Sequence, residues 1–398
     1  MKQTFVILIA LTLLAACAPG PIATPVLAPT TIATPVPMAT ATMLVPTATA
    51  VPMPTKTPIP LTFELLGVPA SYNPKMDGWG IQDMQLWHDR IYLAHGAWIK
   101  TSYGPIRALY YDLNSEKFIH DENFIFQEEA IEKIQIFNDT LYVPGVDARE
   151  NPDYYGNLFY KKWDGKWTKL PTIPHGAHIW DVAVLGNLFF ASGIESLQDA
   201  GVIWMSADYG QTWKVNFKSA ANRTEGTHAS FFLLKERLYA TIARDGCLMF
   251  DNQSWIKKNC MDDRLFIGVY KNALYRNMVV MVPYWNENGN SLEQSLFFFD
   301  GQEAWSVKFS LRVTDVVSTS EGLYVLAGTT SGEGSIFRAT SLDCHCDKDF
   351  TRIVDFDMSK DRPKHPRGND PISLEYANGR FYVAFADGRL FRSKPYQP

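Results

Sequence analysis

The segment Val184-Leu185-Gly186-Asn187-Leu188-Phe189 decides the fold, because versions of it recur along the chain. Each copy has an apolar run, a short polar turn and an aliphatic–aromatic pair, which is the pattern of a β-hairpin. The seven pairs are Ile91-Tyr92, Leu141-Tyr142, Leu188-Phe189, Leu238-Tyr239, Leu274-Tyr275, Leu323-Tyr324 and Phe381-Tyr382. The polar turn predicted for the fifth copy is Lys271-Asn272. Their aromatic residues are 50, 47, 50, 36, 49 and 58 residues apart. A four-stranded propeller blade needs about 40 to 50 residues, so each copy predicts the first hairpin of one blade.

A second set of turns lies out of phase with the first and is also periodic. Its aspartates are Asp112, Asp164, Asp208, Asp251 and Asp300, spaced 52, 44, 43 and 49 residues apart. An aromatic residue follows each of them, namely Phe118, Trp167, Trp213, Trp255 and Trp305. Such turns are expected between the third and fourth strands of a blade, where a large ring then packs between blades.

These periods predict an all-β fold, a seven-bladed β-propeller of four-stranded antiparallel blades over residues 61–398. The alternatives are a pair of β-sandwiches or a ring of eight blades. After the last pair the chain has room for three strands of a blade rather than four. We expect the apolar segment 61–66 to supply the missing strand and close the ring, because an open ring would expose unpaired strand edges.

The segment Ser206-Ala207-Asp208-Tyr209-Gly210-Gln211-Thr212-Trp213 resembles the Asp box of sialidases and related BNR-repeat propellers. The resemblance implies structural roles for Ser206, Asp208, Gly210, Thr212 and Trp213, with the carboxylate capping backbone N–H groups. In those families the box lies away from the catalytic face. No arginine motif of the sialidase type is present, so the resemblance carries over the architecture and no catalytic residue.

The first residues have the features of an export signal. Lys2 is followed by an apolar run and then by Leu14-Ala15-Ala16-Cys17, which resembles the bacterial lipobox. By that resemblance residues 1–16 are a lipoprotein signal peptide and Cys17 becomes the lipidated N-terminus, which anchors the chain to the extracytoplasmic face of the cell membrane. The alternative is an ordinary Ala-x-Ala cleavage in which Cys17 has no role.

Residues 17–60 have the composition of a disordered, extended stalk. Between residues 18 and 60 the chain has 11 of its 24 prolines and 10 threonines, with Lys56 as the only charge. Proline fixes φ and favours polyproline-type segments. Residues 61–398 carry a net charge of −7, because the chain's −5 includes Lys2 and Lys56. A nucleic-acid partner is therefore not expected.

Four cysteines follow Cys17. Cys247 and Cys260 flank a predicted outer hairpin, so their ends should lie face to face, and a disulfide is expected in an exported protein. The segment Cys344-His345-Cys346-Asp347 has three potential metal ligands in four residues and could hold a soft metal ion. A tetrahedral site would need further ligands from elsewhere in the chain. A Cys344–Cys346 bridge or a reduced surface pair is the alternative, and we expect no metal.

In propellers, ligands usually meet the residues that lead into each innermost strand. Those residues are Trp79, Asp83, Lys133, His178, Trp180, Asp181, His228, Arg264, Arg312 and Asp315. Aromatic faces with Arg, His and Asp suit a sugar or an anionic small molecule. The alternative is structural: Asp83, Asp181 and Asp315 share one strand register because they cap turns or hold channel water.

The sequence contains no nucleotide-binding loop, nucleophile elbow or zinc-protease motif, and it implies no cofactor. It predicts an exported, lipid-anchored propeller that binds or scaffolds a glycan, a small molecule or an envelope protein. The enzymatic alternative is a glycan-processing hydrolase with an atypical site. An assembly role in the envelope is a third hypothesis.

Overall fold

A computed structural model describes residues 61–69, 80–96, 105–148, 156–198, 200–222, 229–242, 245–260, 268–283, 294–359 and 370–396. They form a seven-bladed β-propeller whose blades are four-stranded and antiparallel, which confirms the architecture predicted from the repeats. The signal segment, Cys17 and the stalk lie outside the described residues. Within the described ranges, no helix is long and apolar enough to cross a membrane.

Each blade runs from an innermost strand beside the channel to an outermost strand at the rim. The strands that open the chain and build blades 1 to 3 are β1 (Phe63–Gly67), β2 (Gly80–Trp87), β3 (Arg90–Gly96), β4 (Ile106–Asp112), β5 (Lys117–Phe126), β6 (Glu128–Ala130), β7 (Gln135–Phe137), β8 (Thr140–Pro144), β9 (Val146–Ala148), β10 (Leu158–Lys162), β11 (Thr168–Lys169), β12 (Gly176–Leu185), β13 (Leu188–Glu195), β14 (Ala200–Ser206) and β15 (Lys214–Asn222). The short strands β6 and β9 pair with each other and link the sheets of blades 1 and 3.

Blades 4 to 7 follow in chain order. Their strands are β16 (Ala229–Leu234), β17 (Arg237–Ile242), β18 (Gly246–Asp251), β19 (Ser254–Lys258), β20 (Val269–Tyr275), β21 (Met278–Pro283), β22 (Ser295–Phe299), β23 (Ala304–Lys308), β24 (Arg312–Thr319), β25 (Gly322–Gly328), β26 (Glu333–Ala339), β27 (Thr351–Asp357), β28 (Pro371–Ala377), β29 (Arg380–Phe385) and β30 (Leu390–Ser393). A 3-10 helix, Asp347–Asp349, interrupts the connection from β26 to β27.

The N-terminal strand closes the ring, as the sequence predicted. β1 pairs antiparallel with β30 and is the outermost strand of blade 7, in the order β1-β30-β29-β28. Arg392 on β30 donates to Glu64 on β1 at 2.7 Å and to Glu116 of blade 1 at 2.5 Å. The closing strand is therefore tied both to its own blade and to the next one.

The inner hairpins confirm the repeat but correct two of its copies. In blade 5, Leu274-Tyr275 ends the first strand, and the two-residue turn is 276–277 rather than Lys271-Asn272. In blade 3 the turn is 186–187, so Phe190 and not Phe189 is equivalent to Tyr92. The corrected spacing is more regular, because Val280 replaces Tyr275 as the fifth position. The prediction was wrong at blade 5 because Leu274-Tyr275 lies before the turn, at the end of β20. The strand after the turn, β21, contains no aromatic residue.

The core consists of side chains packed between neighbouring blades. Tyr92, Phe190, Tyr324 and Tyr382 are each at most 2% exposed. One cluster joins Tyr324 of blade 6 to Phe381 of blade 7, with ring centroids 5.1 Å apart. Large aromatic side chains thus bury the faces of each sheet against the next, which is what holds separate blades in one ring.

The turn of residues 206–213 has the geometry that its sequence predicted. Asp208 Oδ1 accepts the backbone N–H of Thr212 at 2.8 Å and the hydroxyl of Ser206 at 2.7 Å, while Thr212 Oγ1 donates to Oδ2 at 2.6 Å. These donors lower the pKa of Asp208 to about 2. Gly210 has a φ of +80°, and Trp213 Nε1 donates to the carbonyl of Gly210, so the glycine and the tryptophan also have structural roles in the turn.

Both cysteine pairs are bonded as disulfides. Cys247 on β18 and Cys260 after β19 are joined across the outer hairpin of blade 4, which confirms the predicted bridge. Cys344 and Cys346 are joined in the connection from β26 to β27, with their Cα atoms 5.3 Å apart. The ring of His345 stacks on Trp305 at 4.0 Å. The sulfur atoms of Cys344 and Cys346 are therefore bonded to each other and are not thiols that could bind a metal.

Candidate functional site

A ring of polar side chains surrounds the channel at one level, one from each blade. Its members are Asp83, Lys133, Asp181, Ser230, Lys271, Asp315 and Ser373, each five residues before the turn of its inner hairpin. All seven are buried. Burying three carboxylates and two ammonium groups is costly unless they pair, so the ring must satisfy its own charges.

Local irregularities in the inner strands place these side chains. The pairing of the first two strands shifts register just before the ring residue in five of the blades, at Asp83, Asp181, Lys271, Asp315 and Ser373. A β-bulge of this kind inserts one residue, bends the strand and redirects the following side chain. The repeated bulge therefore explains why unrelated residue types occupy one level of the channel.

The three aspartates link neighbouring blades through backbone groups. Asp83 Oδ2 accepts the N–H of Ile134 at 3.2 Å, and Asp315 Oδ2 accepts the N–H of Leu374 at 2.7 Å. Asp181 Oδ2 accepts the N–H of Phe231 at 2.9 Å. In each case the donor belongs to the next blade. The shared register predicted for the aspartates is thus real, and their first role is to join blades.

Lys271 is the centre of the larger ionic cluster. Its Nζ lies 2.7 Å from Asp315 Oδ2, 3.0 Å from Asp83 Oδ1 and 2.8 Å from Ser373 Oγ, and it also donates to the carbonyl of Ile372 at 3.2 Å. Burial alone would lower the pKa of Lys271, but the two carboxylates outweigh burial and the net pKa is raised. Lys271 therefore carries its charge inside the channel and bonds blade 5 to blades 1, 6 and 7.

A second, smaller cluster lies across the channel. Lys133 Nζ lies 2.8 Å from Asp181 Oδ2 and donates to Ser230 Oγ at 3.0 Å. Asp181 Oδ1 also accepts the side-chain amide of Gln135 at 2.9 Å. Blades 2, 3 and 4 are joined in this way, which complements the contacts of Lys271.

A cavity of about 770 Å³ lies on the side of the ring where the inner hairpins turn. Ring residues Asp83, Lys271 and Asp315 line its floor. Volumes of about 300 to 1,000 Å³ are typical of small-ligand sites, so this cavity is large enough for one. On the other side of the ring the channel is narrow, since Tyr270 reaches from blade 5 to donate to the carbonyl of Gln82 in blade 1 at 3.0 Å.

Glu375, on β28, is a buried carboxyl group in the wall of this cavity. Only 7% of its surface is exposed, and its Oε1 accepts the N–H of Leu86 at 2.9 Å. Burial raises the pKa of Glu375 to about 8, and the charges of Asp315 and Asp83 also raise it, against the effects of the Leu86 hydrogen bond and Lys271. At neutral pH most molecules therefore hold this carboxyl in its protonated form.

The raised pKa predicts how stability changes with pH. Between an unfolded pKa near 4.5 and a folded value of about 8, the folded protein retains a proton that the unfolded chain releases. The free energy of unfolding should therefore decrease by about 2 kcal/mol from pH 6 to pH 8 on account of Glu375. We expect Glu375→Gln to lack this decrease when urea unfolding is compared at the two pH values. The exposed Glu303→Gln is the control, and an equal decrease in both variants would contradict the prediction.

The other predicted site residues are distributed differently. Trp79, His228 and Arg264 lie outside the described residues. His178 and Trp180 lie on β12, buried, with their rings stacked at 4.9 Å. Arg312 begins β24 and lies 2.5 Å from Asp370. Only Asp83, Lys133 and Asp315 of the predicted set line the cavity.

Lys271 and Glu375, which both line the cavity, were not predicted as site residues from the sequence. Lys271 was assigned to a turn because the fifth hairpin was misplaced. Glu375 precedes the last aliphatic–aromatic pair by six residues and looks like an ordinary polar strand position. Glu375, Gln85 and Gln135 each lie three residues before the turn of an inner hairpin. This shared position is the sequence feature that could have placed Glu375 in the channel.

Comparisons with known proteins show the fold. No protein-family model matches the chain, and no curated protein matches its sequence. An inactive variant of virginiamycin B lyase from Staphylococcus aureus, solved with quinupristin, has a TM-score of 0.55 at 9% identity and covers 84% of this chain and 99% of its own. The GH74 enzyme of Niastella koreensis has a TM-score of 0.56 at 12% identity and covers 79% of this chain and 52% of its own. At these identities the similarity establishes a shared β-propeller architecture and no shared chemistry.

Proposed function

We propose that the protein is an exported, lipid-anchored binding module that holds a small molecule in the channel of its propeller. The observation that carries the proposal is the cavity of about 770 Å³ with charged residues in its floor and wall. Burying so many ionisable groups beside an open space costs stability, and such groups concentrate where a ligand is bound. The export signal and the stalk support an extracytoplasmic location.

Filling the cavity tests whether it is the binding site. Val317 lies in the cavity wall, so Val317→Trp should occupy part of the space and abolish binding of a ligand found by thermal-shift screening of the wild type. Val215→Trp is the matched control, because Val215 is 50% exposed on the outer strand β15. A ligand that stabilises both variants as well as the wild type would place the site elsewhere and contradict the proposal.

The membrane anchor is tested separately. Cells expressing the full chain should incorporate radiolabelled palmitate into the protein and retain it in the membrane fraction. Cys17→Ala should lose the label, because the thioether forms on that cysteine alone, and most of the protein should leave the membrane fraction. Label that persists in Cys17→Ala would refute lipidation at this residue.

An enzyme that acts on glycans is the second candidate. One observation favours it: Glu375 lies in the cavity wall, and burial keeps its carboxyl group protonated near neutral pH, as a general acid must be. Purified protein should be assayed against sialosides and other glycosides. Turnover that disappears in Glu375→Gln would establish the enzyme in place of the binding module.

A further inference from the structure

The wall of the cavity is polar on one arc and apolar on the other. One layer beyond the ring, towards the turns, the side chains of Glu375, Gln85 and Gln135 come from the consecutive blades 7, 1 and 2. Ala273 and Val317 occupy the same layer in blades 5 and 6. A ligand that fits both arcs has a polar group at one end and an apolar body at the other.

Glu375 has one carboxyl oxygen that the protein leaves available. Its Oε1 accepts the N–H of Leu86, whereas Oε2 accepts no hydrogen bond from any described residue. The side chain is more than nine-tenths buried and lines the cavity. A cationic ligand in the cavity could therefore donate a charge-assisted hydrogen bond to Oε2, which is stronger than a bond between neutral groups.

Around Glu375 the acidic side chains outnumber the lysines by three to two. The charged or titratable residues of the floor, wall and mouth are Asp83, Asp315, Glu321, Lys133, Lys271, His88 and Tyr376. The ammonium of Lys271 is already bonded to Asp83, Asp315, Ser373 and a backbone carbonyl. Lys133 is bonded to Asp181 and Ser230. Both cations are thus directed at the ring rather than at Glu375.

We propose that the cavity binds a small organic cation, an ammonium or guanidinium group on an apolar body, with its charged nitrogen donating to Glu375 Oε2. The cavity is of organic-ligand size, and the arc of Ala273 and Val317 receives the apolar body. The inference rests on the proposed function, since it names the ligand class of the same site.

Binding of a cation is coupled to loss of a proton. Near neutral pH Glu375 is mainly protonated, and an incoming ammonium group favours the carboxylate form. At pH 7 the complex should therefore release close to one proton. The affinity should rise about tenfold per pH unit below the pKa of Glu375 and level off above it.

Benzylammonium, benzyl alcohol and benzoate are suitable probes because they share one apolar body and differ in charge. Calorimetry should show benzylammonium binding to the full chain at least about tenfold more tightly than the other two. Repeating the titration in buffers of different ionisation enthalpy measures the released proton. Glu375→Gln should weaken benzylammonium binding at least about tenfold, whereas Glu303→Gln, which removes an exposed carboxylate outside the cavity, should change it less than about threefold.

Several results would overturn the inference. They are tighter binding of benzoate or benzyl alcohol, benzylammonium binding that Glu375→Gln leaves unchanged, and an absence of benzylammonium binding at millimolar concentration. If Glu375→Gln does not fold, the pH dependence of the wild-type affinity decides, and an affinity independent of pH between 6 and 8 would refute the role of Glu375. A neutral or anionic ligand that Val317→Trp blocks would leave the binding module standing and remove only the cation.

Discussion

Removing strand β1 should prevent the chain from forming a stable ring. A chain that begins at residue 69 lacks the outermost strand of blade 7, so β30 is left as an unpaired edge. It also loses Glu64, which pairs with Arg392. We expect this chain to lose its cooperative thermal transition and to associate, because an exposed strand edge pairs with other chains.

The matched control begins at residue 61 and keeps β1. It should unfold cooperatively and elute as a monodisperse species, because it keeps the pairing of β1 with β30. Circular dichroism during heating and size-exclusion chromatography distinguish the two chains. Equal cooperativity in both would show that the ring does not depend on the fourth strand of blade 7.

Replacing Lys271 with methionine should destabilise the protein by about 3–5 kcal/mol, measured by denaturant unfolding at pH 7. Methionine matches the apolar stem of lysine but lacks the ammonium group, so Asp83 and Asp315 remain buried without their shared cation. Part of the loss should be recovered at lower pH, because burial raises the pKa of Asp83 and its carboxyl group can then take up a proton. The variant with Asp83→Asn and Asp315→Asn added should recover more.

Lys218→Met is the control for this substitution. Lys218 Nζ lies 3.2 Å from Glu195 Oε2, but its side chain is 38% exposed. An exposed ion pair contributes about 1 kcal/mol or less, so the control should lose no more than that. If the two variants lose similar free energies of unfolding, burial does not increase the contribution of the Lys271 cluster to stability.

The fold was predictable because its evidence is repeated. A hairpin pattern that recurs about every 48 residues is visible even when single copies are irregular, and the missing strand followed from the length left after Phe381-Tyr382. Two copies were misplaced. In blade 3 the predicted pair lies one residue too early. In blade 5 Val280 stands where other blades have an aromatic residue, and Leu274-Tyr275 lies before the turn instead of after it.

The cavity was less predictable, for two physical reasons. Its ring contains three residue types in seven equivalent positions, so no single residue marks it along the chain. Glu375 is distinguished by its burial near the charges of Asp83 and Asp315. These two aspartates belong to other blades, so the sequence around Glu375 does not show this environment. Asp83 and Asp315 could be noticed because they share type and register, whereas Lys271 could not once its hairpin was misplaced.

The pairing of β1 with β30 also determines how the molecule must fold. Glu64 and Arg392, which meet across this pair, are 328 residues apart in the chain. β1, the first strand of the described residues, can therefore pair with β30 only after blade 7 has been synthesised. Contacts between residues so far apart in sequence form slowly. We therefore expect a late kinetic phase in folding, during which the ring closes and chaperones can act.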